Sequence, residues 1–259
     1  MAVTILADSL NASTGDRLTT FLLDEFPKCL LAELNTHRAL SRNAASARAM
    51  PIAKLIEQVQ HDPFIPRWTA HAKGMVGVEL KKESCRRATT EWLHARDQAV
   101  DSVKCLIALN VAKQNANRIL EPWMTVPVIV SGTEWANFFK LRCAADTQPE
   151  FSAFAIAMRK AMAEGTPKEL APGDWHIPLD PGEKLSREDR LKTSVAMAAR
   201  GSYGSFTGAA SLENDVRLHD QLLASGHWSP FEHQAQASSE RRRRANYVGF
   251  ASYRYSLGF

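Results

Sequence analysis

The sequence predicts one α+β domain, because helical patterns dominate and the strand-like segments are few and separated. No internal repeat and no low-complexity linker divides the 259 residues. Hydrophobic residues make up 45% of the chain and charged residues 23%, which are ordinary globular values that argue against disorder and fibrous structure. A chain of this length buries a substantial core.

Three segments carry the strand signal of β-branched, leucine and aromatic residues, at 2–7, 17–26 and 126–130. Apolar residues at helical spacing predict helices at 29–37, 52–60, 81–120, 134–145, 150–163, 186–200 and 212–224. Pro122 is expected to end the longest helix, and Ser186 with Asp189 resembles a capping box. Loops are predicted at 41–50, 61–77 and 166–182, with a glycine-rich turn at 201–208.

The composition excludes several classes of protein. No apolar run reaches the length of a membrane span, and the first ten residues lack the basic start of a signal peptide. The four cysteines are scattered without a CxxC pair, which excludes a zinc ribbon or thioredoxin-like centre, and we expect no metal. A reduced cytoplasmic protein is the simplest interpretation. The net charge of +4 suits a phosphorylated small molecule as well as nucleic acid.

The densest polar cluster lies at residues 36–48, after a predicted helix. It holds one histidine, three arginines, two serines and one asparagine. Arginines form bidentate bonds to phosphate, and hydroxyls and free backbone N–H groups complete such a cradle. A solvated, charged loop would carry the same residues, so their spacing alone leaves both interpretations open.

The order of these residues resembles the signature of the flavin-dependent thymidylate synthases, R-H-R-x-x-S-x-N-E-x-S-x-R. Six positions match in order and spacing, namely His37, Arg38, Ser41, Asn43, Ser46 and Arg48. Two positions differ, because Thr36 replaces the first arginine and Ala44 replaces the glutamate. These differences remove one positive and one negative charge from the expected site.

Two further stretches resemble the same family. Residues 118–122 (RILEP) resemble its R-x-x-L-P motif, and residues 137–142 (NFFKLR) with 148–150 (QPE) resemble its N-F-L-x-L-R and Q-x-E motifs. The family usually has N-x-R between these stretches, but Ser131 and Thr133 occupy those positions here. Thr133 therefore removes a further positive charge, that of the arginine which the family usually has at this position.

A third group of matches lies out of order, near the C-terminus. Residues 199–203 (ARGSY) and 226–233 (GHWSPFEH) resemble two motifs that precede the R-H-R loop in the family. We interpret this order as a circular permutation of a single domain spanning 1–259. Residues 1–165 would carry the loop and the nucleotide-site helices, and 186–259 the permuted segment. The permutation requires Met1 and the chain near His233 to lie close together.

The resemblance implies a fold of long helices around a small, mostly antiparallel sheet. It implies synthesis of dTMP from dUMP without a cysteine nucleophile. Reduced FAD would supply the hydride, methylene-tetrahydrofolate the one-carbon unit, and NADPH the reducing equivalents. It also implies a homotetramer with active sites between subunits. The protein's own task is then binding, orientation and electrostatics.

The matched positions imply a role for each candidate residue. Flavin contacts fall on His37, Arg38, Asn43, Asn137, Ser202, His227, Ser229 and Glu232. Substrate contacts fall on Glu33, Ser46, Arg48, Arg118 and Arg142, although Arg118 could instead cap a helix end. Arg142 fits a contact to the pyrimidine ring, where a fixed cation stabilises developing negative charge. Arg142, Ser46 and Arg48 are the expected catalytic residues, with Ser46 and Arg48 at the phosphate and no nucleophilic role for Ser46.

The substrate and the product stay open at the level of sequence. Glu33 replaces a glutamine of the family, and its carboxylate only accepts hydrogen bonds. This change would suit the amino group of cytosine in dCMP, or Glu33 could pair with Arg38 or Arg42. If water instead of hydride reacted with the methylene intermediate, the product would be a 5-hydroxymethyl nucleotide. Phage-type pathways use such chemistry, and a phage-encoded protein would act in the cytoplasm of the bacterial host. A homologue that binds nucleotide without turnover is the third alternative.

Four consecutive arginines, Arg241 to Arg244, lie near the C-terminus. They suit either a solvated basic surface or a clamp for the anionic folate tail or nucleotide phosphate. Nucleic-acid binding is the competing class of function, and it predicts a basic stripe with exposed aromatic residues. Only this tail offers such a stripe, so we expect a pyrimidine deoxynucleotide as partner, and neither nucleic acid nor a membrane.

Overall fold

A long antiparallel hairpin of β1 (Ala2–Asn11) and β2 (Arg17–Pro27) forms the middle of a five-stranded sheet. The computed structural model describes residues 2–71, 77–201 and 211–259. With β3 (Ser41–Ala44), β4 (Thr125–Gly132) and β5 (Lys168–Leu170), the strand order is β3-β4-β2-β1-β5. Neighbouring strands are antiparallel except β1 with β5, which confirms the small, mostly antiparallel sheet.

Helices lie on both faces of this sheet and confirm the α+β class. They are α1 (Leu31–Asn35), α2 (Ile52–His61), α3 (Lys82–Ala108), α4 (Lys113–Ala116), α5 (Ala136–Arg142), α6 (Pro149–Glu164), α7 (Arg187–Arg200), α8 (Leu212–Ala224) and α9 (Tyr253–Ser256). Short 3-10 turns occupy Lys28–Leu30, Asn117–Trp123 and Ser229–Glu232. The remaining strands are β6 (Trp175–His176), β7 (Ala235–Ala237), β8 (Arg243–Arg244), β9 (Tyr247–Val248) and β10 (Phe250–Ser252).

The strand β4 is buried on both faces of the sheet. Val128 and Val130 belong to the main core, which the helices α2 to α6 cover. Ile129 points the other way and packs against Ala198 of α7. Because successive side chains of a strand face opposite sides, the N-terminal helices and the C-terminal segments form separate layers on the two faces.

The long helix α3 ends at Ala108, so the prediction that Pro122 ends it was wrong. Asn110 has a φ of 57°, a left-handed conformation that asparagine tolerates and that a continuing helix excludes. Pro122 lies instead in the 3-10 turn Asn117–Trp123. The apolar spacing misled because it continues through Leu109, whose side chain is 73% exposed.

Residues 41–44 form a strand, although the sequence predicted a loop there. Their polar composition hid the strand, which exists because Ser41 and Asn43 pair with Ser131 and Ile129 of β4. The predicted loop at 166–182 likewise contains β5 and β6. The helix predicted at 29–37 is divided into a 3-10 turn and the short α1.

The other predicted strands and helices are present, with shifts at their ends. The predicted cap of α7 is confirmed, since the backbone N–H of Asp189 donates to Ser186 Oγ at 3.1 Å. The glycine-rich turn predicted at 201–208 lies outside the described residues, apart from Gly201. Within the described ranges, no helix has the length and apolarity needed to cross a membrane.

Candidate active site

A cavity of about 790 Å³ opens between the turn after α1 and the helix α5. It brings together four predicted residues from two separate motifs, with His37 and Arg38 on the turn and Asn137 and Arg142 on α5. Its walls also include Thr36, Leu40, Thr133, Glu134, Trp135, Phe138, Phe139, Leu141 and Met162. No motif pointed to Glu134 or Met162, because they enter the cavity only through tertiary packing.

His37 and Arg142 are in direct contact in this cavity. Arg142 Nε donates to His37 Nε2 at 2.7 Å, so the neutral imidazole carries its proton on Nδ1. Burial and then the charges of Arg142 and Arg42 lower the pKa of His37 to about 4. The guanidinium of Arg142 also lies 4.4 Å from the ring centroid of Phe151. His37 is therefore neutral at pH 7 and orients Arg142.

Glu33 lies behind Arg142 and does not line the cavity. Arg142 Nη2 donates to the backbone carbonyl of Glu33 at 3.3 Å. Burial lowers the pKa of Arg142, and the Glu33 carboxylate opposes that change. Oε2 of Glu33 is buried without a hydrogen-bond partner, and in the described part of the chain neither Arg38 nor Arg42 forms an ion pair with it. Glu33 thus acts as a countercharge to Arg142.

Asn43 points away from this cavity. Its Nδ2 donates to the backbone carbonyl of Ala198 in α7 at 2.8 Å, on the opposite face of β3 from Arg42. The strand β3, which was not predicted from the sequence, explains this direction, because successive side chains of a strand point to opposite faces, whereas those of a loop need not. Arg42, which the motif skipped, donates to the backbone carbonyl of His37.

The phosphate-site candidates are not brought together with Arg142 in one chain. Arg48 lines a second cavity of about 430 Å³ with Ala49, Lys113 and Gln114. Ser46 precedes this cavity in the same loop, and Arg118 is exposed on the 3-10 turn Asn117–Trp123. The cations that the motifs assign to one substrate therefore occupy separate surfaces.

Glu232 lies in the C-terminal layer and interacts electrostatically with Arg42. It forms an ion pair with Arg254 and, together with Ser41 and Asn246, lines a small cavity of about 240 Å³. Burial lowers the pKa of Arg42, and the charge of Glu232 raises it. Since Arg42 also contacts His37, this arginine links Glu232 to the His37 cavity.

The other C-terminal candidates lie at the surface or outside the described residues. His227 and Ser229 are exposed, and His227 Nδ1 lies 2.8 Å from the hydroxyl of Ser225. Ser202 falls in the range 202–210, which the structure does not describe. Among the C-terminal candidates that the structure describes, Glu232 alone has an electrostatic interaction with the loop that carries His37 and Arg38, through Arg42.

A buried chain of hydrogen bonds joins the C-terminal layer to the sheet. Its five members are Ser9, His176, Thr20, Ser131 and His233, each at most 4% exposed. Successive polar atoms lie 2.7 to 2.8 Å apart. Burial lowers the pKa of both histidines to about 3, so both are neutral. Ser131, which stands where the family usually has asparagine, thus takes part in a hydrogen-bond network in the protein interior.

The four consecutive arginines are all engaged in ion pairs. Arg241 pairs with Asp16, Arg242 and Arg244 pair with Glu240, and Arg243 pairs with Glu134 on the wall of the first cavity. The hairpin of β8 and β9 is also anchored there, since the backbone N–H of Val248 donates to Thr133 Oγ1 at 3.0 Å. This paired arrangement is unlike the free basic stripe expected for nucleic-acid binding.

Among the described residues, no group of three or more His, Cys, Asp or Glu residues could hold a metal ion. The cavity instead offers guanidinium, imidazole, amide and aromatic groups. Such a set of donors suits an anionic organic ligand with a planar ring.

Comparison with solved structures finds similar chains, of which one reaches a TM-score of 0.50. One is a UMP/dUMP methylase, PolB from Streptomyces cacaoi, bound with 5-Br UMP. The two sequences are 16% identical, the match covers 63% of this chain and 88% of that chain, and the TM-score is 0.50. Another is thymidylate synthase X from Helicobacter pylori, with FAD and dUMP. The two sequences are 18% identical, the match covers 56% of this chain and 67% of that chain, and the TM-score is 0.38. No curated protein sequence matches.

The profile of the Thy1 family, described as thymidylate synthase complementing protein, matches residues 18–168, which is more than half of the chain. This range contains both motifs that meet in the first cavity. The chain therefore belongs to the Thy1 family, that of the flavin-dependent thymidylate synthases which its motifs resemble.

Proposed function

We propose that the protein is a flavin-dependent enzyme that methylates dUMP at C5 to give dTMP. Methylene-tetrahydrofolate would be the one-carbon donor, and NADPH would reduce the bound FAD. The meeting of His37, Arg38, Asn137 and Arg142 in one cavity carries this proposal, because two distant motifs of one family supply them. The fold shared with a UMP/dUMP methylase agrees with a pyrimidine nucleotide as substrate.

The walls of the cavity fit a flavin nucleotide. Phe139 contributes an apolar ring that stacks on the buried Trp135, and Arg38 is exposed without an ion pair among the described residues. His37 and Asn137 add polar groups at the same opening. A reduced flavin would supply the electrons that convert the transferred one-carbon unit into a methyl group.

The chain's own residues would bind and orient the reactants. Arg142 would stabilise negative charge that develops on the pyrimidine ring, in a site where burial strengthens electrostatic interactions. Neutral His37 would hold this guanidinium in place through the 2.7 Å hydrogen bond. We assign Ser46, Arg48 and Arg118 to the nucleotide phosphate, and His227, Ser229, Glu232 and Ser202 to the cofactor. Asn43 is left out of the cofactor site in this cavity, because its side chain is turned towards Ala198.

We further propose that the chain is a circular permutation of the family's domain. The family match ends at residue 168, and the C-terminal motifs follow it. Asn11, at the end of β1 away from Met1, donates to the carbonyls of Ser238 and Gly249 at 2.9 and 2.7 Å, so this end of the first strand contacts the tail. Met1 itself lies outside the described residues.

A homotetramer with shared active sites would reconcile the two cavities. Arg48 and Arg142 line different surfaces of one chain, so a second subunit would have to bring Arg48 to the Arg142 cavity.

The four cysteines are free thiols, which agrees with the reducing cytoplasm that we propose as the location.

A mass spectrum of the products tests this function. The purified protein receives FAD, NADPH, methylene-tetrahydrofolate and equal amounts of dUMP and dCMP. A product heavier than dUMP by one methylene group supports the proposal. A product with one further oxygen, or one derived from dCMP, would indicate a hydroxymethylase or a cytosine substrate, and bound flavin without product would indicate a homologue that lacks turnover.

A further inference from the structure

The second cavity, between the loop after β3 and the start of α4, presents two cations to one opening. Arg48 and Ala49 line one side, and Lys113 and Gln114 line the other. Arg48 and Lys113 are both exposed, and no described residue forms an ion pair with either. Two unpaired cations beside one opening repel each other, and a bound anion would relieve that repulsion.

The loop that carries Arg48 is held from behind by Asn117. This side chain is completely buried, and its Nδ2 donates to the carbonyls of Ala47 at 2.6 Å and Met50 at 3.2 Å, which flank Arg48. Lys28 Nζ adds a third contact, to the carbonyl of Ala45 at 3.0 Å. These bonds restrict the loop from the protein side and leave the Arg48 side chain at the surface.

Asn117 also connects the loop to Lys113. The helix α4 runs directly into the 3-10 turn that begins at Asn117, so one short segment carries both residues. A shift of the loop relative to this segment would change the separation of the two cations. Sequence motifs did not point to Lys113 or Asn117.

We propose that Lys113 binds the phosphate of the nucleotide together with Arg48, and that Asn117 is a positioning residue that sets the separation of the two cations. The ligand class is a phosphate monoester, since the arginine fork can bind two oxygens while the ammonium acts as a point charge. The choice of a nucleotide as the carrier of this phosphate rests on the proposed function.

Isothermal titration of the full-length protein with inorganic phosphate and with dUMP tests the role of Lys113. Lys113→Met keeps the aliphatic stem and removes the charge, and should weaken both affinities about fivefold. Lys113→Arg should restore most of the loss. Lys160→Met is the control, because Lys160 is an exposed lysine on α6 that pairs with Glu164, and it should change neither affinity.

Asn117→Ser tests the positioning role. It should weaken dUMP binding and speed amide hydrogen exchange at residues 47–50, while the chain stays folded by circular dichroism. Should this variant unfold, the Lys113 variants still decide. Wild-type affinity in Lys113→Met, or a wild-type protein that binds neither phosphate nor dUMP, would overturn the proposal. A wild-type protein that binds phosphate normally but forms no product would refute the proposed function instead and leave this site standing.

Discussion

The Nδ1 atom of His233 lies 2.8 Å from the Oγ atom of Ser131, and this bond ties the C-terminal motif to the central strand β4. Ser131 and Thr20 are register partners on neighbouring strands, so their hydroxyls meet at 2.7 Å. Because Glu232 directly precedes His233, the same bond determines where this candidate cofactor residue lies. The interior of the sheet thus helps to position this candidate residue.

Ser131→Ala should lower the free energy of unfolding by about 1–3 kcal/mol, because it leaves a buried imidazole nitrogen without a partner. Urea denaturation followed by circular dichroism measures the change. Ser225→Ala is the control, since it removes a hydroxyl that contacts the exposed His227. An equal loss of stability in the control would contradict a special role for the buried bond.

The stability of the protein should fall as the pH is lowered below neutral. Burial lowers the pKa of His176 and His233 to about 3, whereas an unfolded histidine titrates near 6.5. Between these values the unfolded chain binds more protons than the folded chain, so stability is fully present above pH about 6.5 and is lost as the pH falls towards 3.

Urea denaturation at pH 7, 6 and 5 checks this dependence above the range where most carboxylates titrate. His176→Gln should show a shallower decline than the wild type, because one of the buried imidazoles with a lowered pKa is gone. Equal slopes for the two proteins would mean that neutral burial of His176 does not govern the acid sensitivity.

Arg142→Ala should reduce turnover at least about 100-fold, because it removes the cation placed at the pyrimidine ring. Arg142→Lys should recover only part of the rate, since lysine cannot keep both the His37 and the Glu33 contacts. Rates of product formation at saturating substrate measure both effects. Arg86→Ala, on the exposed surface of α3, should leave the rate unchanged. Full activity of Arg142→Ala would refute the site.

Glu33→Gln should change the affinity for nucleotide rather than the choice of base. Glu33 stands behind Arg142 and is not part of the cavity wall, so its loss removes a negative charge without changing the groups that face the ring. Binding of dUMP should tighten about twofold to fivefold. Competition between equal dUMP and dCMP, measured by mass spectrometry, should give an unchanged product ratio; a changed ratio would show that Glu33 contacts the base.

Four of the residues that line the first cavity could be predicted, because family motifs are local patterns of residue type. His37 and Arg38 came from one motif and Asn137 and Arg142 from another, and the fold places all four at one opening. The strand β3 could not be predicted in the same way. Its residues have a low preference for strands, and they form one only because β4 offers them backbone hydrogen bonds.

The sequence by itself determined the α+β class, the family and the kinds of side chain at the site, because periodicity and motif spacing depend on neighbours along the chain. Only the tertiary structure decided that Asn43 faces Ala198, that Glu33 stands behind Arg142, and that Arg48 and Arg142 line separate cavities. Each of these outcomes depends on which face of a strand or helix packs against segments far away in sequence, and local patterns carry no record of those partners.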